Sequence, residues 1–129
     1  MKAMAIYDAA LALLGEAPET ERSLDYRERA PYLIAAFCCE CASVDRDYRE
    51  SHRLAPQGDF SDVYVSLDDD FPLCKRLVGA ASHYLASMLV MDEDESLSEK
   101  LFEKYCDTLS RAVSEIPYVK GKTKAAYAN

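Results

Sequence analysis

The side chains here best suited to nucleophilic, redox or metal chemistry are five Cys and two His in 129 residues. Three thiols lie together as Cys38, Cys39 and Cys41, while Cys74 and Cys106 stand far along the chain. A structural zinc site needs repeated C-x-x-C pairs, or His at matching spacing. No such pair is repeated, and His52 and His83 sit at no ligand spacing from the thiols. An odd number of cysteines leaves at least one thiol free, and free Cys packs as a small apolar residue. That usage predicts a reducing compartment. Neither His opens an H-E-x-x-H motif and no E-x-x-H occurs, so zincin and helical di-iron sites lack their ligands.

Two further patterns imitate sites. Gly121-Lys122-Thr123 looks like the end of a phosphate-binding loop, but position 116 is Ile where that loop needs Gly. Asp68-Asp69-Asp70 lacks the alternating acids, central Gly and distant Glu of a calcium loop. Three carboxylates before a helix are expected to act as its cap and dipole partners. The residues therefore predict no catalytic group, no cofactor and no metal, and a protein that is not an enzyme.

The elements that would position any site are helical. Only 4 Gly and 5 Pro occur in the chain, too few turn formers for a many-stranded sandwich or barrel. Half the residues are apolar, enough for one core without staples. Apolar spacing predicts an all-α fold with about four helices, near residues 2–14, 23–50, 71–91 and 96–116. Gly15 is placed as the first stop, Ser23 as the second cap, Asp69 or Asp70 as the third, and Ser96 with Glu99 as a capping box. Ala30, Ile34, Phe37, Cys41, Val44 and Tyr48 form one continuous face, and Pro31 must kink or break that helix. The third helix, apolar over half its circumference, is expected at the centre of the core. Residues 51–70 form an irregular or short β arm, with Val63 to Leu67 its β-prone run. The N-terminal apolar run is interrupted by Asp8, and Leu77 to Met91 is too short and polar for a bilayer. Neither an export signal nor a membrane span is expected.

Charge divides the chain into a helical domain over 1–117 and a basic tail over 118–129. The net charge is −8, which disfavours binding to phosphate backbones by the surface as a whole. The tail has three Lys and no acid, or +3, leaving 12 basic against 23 acidic residues, or −11, on the domain. Tyr118, Val119, Lys120, Lys122, Lys124 and Tyr127 are candidate partner-binding residues, because a basic tail with aromatic anchors can order against an acidic partner. Glu99, Glu103 and Asp107 align at four-residue spacing on the last helix. They are candidates to meet Lys75, Arg76 and Arg111 of a neighbouring copy.

The stretch from Tyr26 to Phe37, with Arg29-Ala30-Pro31 before an apolar run, resembles a helix opening in small head–tail connector (adaptor) proteins of long-tailed bacteriophages. Asp70-Phe71-Pro72-Leu73 after an extended segment, Leu85-Ala86 with Leu89 and Asp92-Glu93, and Leu101-Phe102-Glu103-Lys104-Tyr105 continue the likeness. The segment His52 to Leu67 and the cysteines of the second helix have no counterpart in that pattern. The resemblance implies an all-α protomer in a ring of about a dozen copies. Its partners would be portal and stopper or tail proteins, in the virion, with DNA passing through unread. The residues alone leave two other classes open: a cytoplasmic helical adaptor or regulator acting as a small oligomer, and an acidic DNA mimic.

Overall fold

The computed structural model describes residues 1–17 and 20–117, and its fold is all-α. Its elements are α1 (Ala3–Leu14), α2 (Glu21–Glu40), α3 (Ala42–Ser51), a 3-10 turn (Lys75–Leu77), α4 (Val78–Val90) and α5 (Glu95–Ser114). Among the described residues there is no strand, only an isolated antiparallel bridge between Lys2 and Asp70.

Helix α1 buries Ile6, Tyr7, Ala10 and Leu11 and stops where expected, at Gly15. Gly15 takes φ 65°, a left-handed conformation that costs glycine nothing. The helix has no side-chain cap at its start. Its first donors instead reach the arm: Ala3 N–H to the Asp69 carbonyl at 2.8 Å and Met4 N–H to the Leu67 carbonyl at 2.9 Å. Phe71 N–H returns a bond to the Met1 carbonyl at 2.8 Å. The end of the arm thus caps α1, a tertiary solution to the unpaired first turn of a helix.

The second predicted helix, 23–50, is two helices. It begins earlier, at Glu21, because Thr20 rather than Ser23 is the cap, its hydroxyl accepting from Ser23 N–H at 3.1 Å. Pro31 is buried inside α2 without ending it. The interruption falls at Cys41, with φ −102° and ψ 9°. Hydrogen bonds still run from Cys41 N–H to Phe37 and from Asp45 N–H to Cys41, both at 2.9 Å. The ladder continues across a bend, so the predicted apolar face survives and only its axis turns.

The third predicted helix, 71–91, starts late. Asp69 and Asp70 do not cap it: the Asp69 carbonyl accepts from Ala3 N–H of α1, Asp70 bridges to Lys2, and the 3-10 turn begins only at Lys75, after the buried Leu73 and Cys74. Helix α4 then packs against α5, α1 and α2, as the centre of the core. Small residues let α4 and α5 approach closely. Ser87 Oγ donates to the Ser98 carbonyl at 2.8 Å, and Ser98 Oγ to the Ser87 carbonyl at 2.9 Å. The fourth predicted helix is α5, but its cap is Asp94, which accepts from Leu97 N–H at 3.0 Å. The Ser96–Glu99 capping box is not used. Its buried side runs through Ser98, Leu101, Tyr105 and Ala112. Phe102 and Cys106 lie on its solvent side.

The β-prone run Val63 to Leu67 forms no strand. Val65 and Leu67 are buried while Val63 and Tyr64 are exposed, so the apolar alternation is used to lay an irregular arm on α2. Val65 N–H donates to the Pro31 carbonyl at 3.0 Å, and the Tyr64 ring meets Tyr32 edge to face at 5.1 Å.

Candidate functional site

The five thiols divide by position. Cys38, Cys41 and Cys74 are buried, Cys39 and Cys106 exposed. Burial pushes Cys38 and Cys41 up to about 12 and Cys74 up to about 11, so all three stay protonated and unreactive at neutral pH. Among the described residues no group of three or more His, Cys, Asp or Glu could hold a metal ion. Thiol titration with an aromatic disulfide should therefore count two fast cysteines in the folded protein and five after denaturation. Burial, with Asp107 beside it, also raises Cys106. A third fast thiol in the native protein would contradict this burial.

The carboxylates bring together a different kind of site. A groove of about 440 Å³ opens between the end of α4 and the start of α5, lined by Met88, Met91, Phe102, Glu95, Glu99 and Glu103 beside Ser87 and Ser98. Met91 is 46% exposed and Phe102 39% exposed. Two of the three predicted interface acids, Glu99 and Glu103, thus rim an apolar floor. Asp107 is exposed further along α5, as is Arg111.

A second hollow, of about 650 Å³, lies at the other end of α4. Tyr48, Arg49, Leu54, Leu73, Cys74, Lys75 and Arg76 line it. The structure gathers the predicted Lys75 and Arg76 here but separates their roles. Lys75 is exposed. Arg76 is spent within the chain, its Nε and Nη2 donating to the two carboxylate oxygens of Glu115 at 2.7 and 2.6 Å. These bonds hold the Glu115 carboxyl below its ordinary value and tie the end of α5 to the 3-10 turn. Tyr48 adds a weaker bond to the same carboxylate at 3.3 Å and stacks on His52 with ring centroids 4.0 Å apart.

Beside this hollow is a cluster that periodicity could not reveal. Asp45 is fully buried on α3. Its Oδ2 accepts from Arg49 Nε at 2.8 Å and Gln57 Nε2 at 2.9 Å, and its Oδ1 accepts from Cys74 N–H at 2.7 Å. Arg49 also donates to the carbonyls of Ala55 at 2.9 Å and Pro72 at 3.2 Å. One ion pair therefore pins both ends of the arm. The sequence displays Asp45 and Arg49 only as an i,i+4 pair, indistinguishable from a solvated one.

The remaining predicted residues, Tyr118, Val119, Lys120, Lys122, Lys124 and Tyr127, lie outside the described residues. No helix of the described residues is long and apolar enough to cross a membrane. The chain matches no family model, no curated protein and no solved structure. Function must therefore be argued from these surfaces.

Proposed function

We propose that this chain is a non-enzymatic structural subunit that assembles head to tail into a ring. The phage head–tail connectors it resembles form such rings between portal and tail, around the DNA exit channel. One observation carries the reading. The acidic, apolar-floored groove and the apolar hollow edged by exposed Lys75 sit at opposite ends of α4, about 20 Å apart at about 1.5 Å per residue. Two different, complementary patches on one chain make a heterologous contact, and repeated heterologous contacts close into rings or run on as filaments. The excess of acids over the domain suits a channel wall, since it repels DNA and lets it slide.

Sedimentation velocity over a concentration series tests this. The expected result is a large closed species growing from the monomer. Joint reversal of Glu99→Lys and Glu103→Lys should weaken assembly about tenfold or more, and adding Lys75→Glu should restore part of it. A small helical adaptor acting as a dimer is the second reading, favoured by the exposed Tyr32–Tyr64 pair on the arm. A dimer at every concentration, sensitive to Tyr64→Ser and indifferent to the charge reversals, would establish it and remove the ring. Portal and capsid genes on one side of the coding sequence, with tail genes on the other, would support the connector.

A further inference from the structure

We propose that the turn of Arg53 and Leu54, at the end of α3, enters the α4–α5 groove of a second copy, a contact that rests on the head-to-tail reading and supplies its residues. Helix α3 closes on its own backbone. Leu54 N–H donates to the Arg49 carbonyl at 2.9 Å and Arg53 N–H to the Glu50 carbonyl at 3.4 Å. This paired helix ending ordinarily carries glycine at its left-handed position. Here that position is Arg53, with φ 55°, the one non-glycine residue so placed among the described residues. The end of α1 takes nearly the same backbone with Gly15, at φ 65°. A side chain strains the backbone there, so the turn itself gives no reason for an arginine. Arg53 is exposed and makes no ion pair among the described residues. In such endings the residue after the left-handed one commonly packs back onto its helix. Leu54 is instead 46% exposed, at the edge of the hollow that Lys75 also lines.

The two surfaces are opposite in charge. Three acids and no base line the groove, and three bases and no acid line the hollow. Of those bases, Arg49 and Arg76 are paired at home with Asp45 and Glu115, which leaves Lys75. Arg53 adds a second cation next to Leu54. Glu95, Glu99 and Glu103 make no ion pair among the described residues. An exposed leucine beside cations is the complement of an apolar floor rimmed by carboxylates. Leu54 covers Met91 and Phe102, and the planar guanidinium of Arg53 meets Glu99 and Glu103. The turn and the groove stand at opposite ends of α4, so the groove it enters belongs to another copy.

Two variants, each able to make one half of the contact, test this. One carries Glu99→Lys and Glu103→Lys and keeps its turn; the other carries Arg53→Gly and Leu54→Ser and keeps its groove. Each alone should self-associate at least about tenfold more weakly than the unmutated chain. Mixed, they should form a complex holding one copy of each, read by sedimentation velocity and native mass spectrometry. A mixture no more associated than its components overturns the proposal. So does assembly that survives Arg53→Gly and Leu54→Ser unchanged, a result that leaves the ring intact. If the variants pair while the unmutated chain stops at two copies, the contact stands and the ring falls. A second readout separates docking from a role in the fold. In the Glu99→Lys, Glu103→Lys chain, Arg53→Gly should raise the melting temperature, because glycine relaxes the left-handed position. A fall would show that the arginine serves its own fold, and would overturn the proposal.

Discussion

Replacing Asp45 by Ala is expected to destabilise the fold by about 3–5 kcal/mol, measured as a shift in the urea midpoint. The carboxylate is fully buried and accepts three hydrogen bonds from different parts of the chain. Removing it strands the Arg49 guanidinium, whose side chain is only 16% exposed, without its counter-charge. It also strands the Cys74 N–H, whose only acceptor shown is Asp45. Each buried donor left unpaired costs about 1–3 kcal/mol, which is how a single truncation reaches that size. Asp45→Asn keeps the volume and one acceptor, but it turns an amide NH₂ or an overcrowded oxygen toward Arg49 and Gln57. It should lose stability in the same direction by a smaller amount. The loss should be local first. Protease cutting between Ala55 and Pro72 should rise before the helices melt, because that segment is pinned through Asp45 and Arg49. A midpoint shift worth less than about 1 kcal/mol, with the arm equally resistant, would show that the cluster is dispensable.

The second large effect belongs to Phe37. Its ring lies 5.6 Å from Tyr84, 6.0 Å from Tyr105 and 6.3 Å from Phe71. It therefore joins α2 to α4, to α5 and to the last residues of the arm. Phe37→Ala should cost about 3–5 kcal/mol through lost burial and a cavity that four elements cannot close together. For a domain of this size that is a fall of about 10–20 °C in melting temperature. Phe37→Leu, which refills most of the space, should recover the larger part. Since native domains are stable by only about 5–15 kcal/mol, either alanine variant approaches the margin on which any assembly of this chain depends.

These two residues differ in how much of them could be read beforehand. Phe37 stood on the face from Ala30 to Val44 that helical spacing alone picks out, and the structure buries that face. Asp45 sits next to it in a run of charges that looks like the solvated end of a helix. It is buried because Gln57 of the arm and Cys74 beyond the arm both reach it, and no local pattern announces partners that far along the chain. The same reason separates the caps. Gly15 ends α1 by its own backbone freedom, so it was legible. Asp69 and Asp70 suit a helix start, yet the Asp69 carbonyl and Phe71 N–H were claimed by α1, more than sixty residues earlier.

The interaction surfaces divide likewise. That Glu99 and Glu103 share one side of a helix follows from four-residue spacing. That they rim an apolar groove depends on Met88 and Met91 being brought alongside by the α4–α5 pairing. That Arg76 is paired at home, leaving Lys75 as the exposed cation of the opposite hollow, depends on where α5 ends.

Helical class, the identity of the central helix and the uneven charge along the chain are consequences of composition and period. They are legible because hydrophobic period and net charge are sums over local residues. The capping of α1 by the arm, the Asp45 cluster and the groove were decided by tertiary contact. The first two satisfy backbone donors and a buried carboxylate with groups distant in sequence, and the third is formed by the pairing of α4 with α5; only the folded chain brings those together.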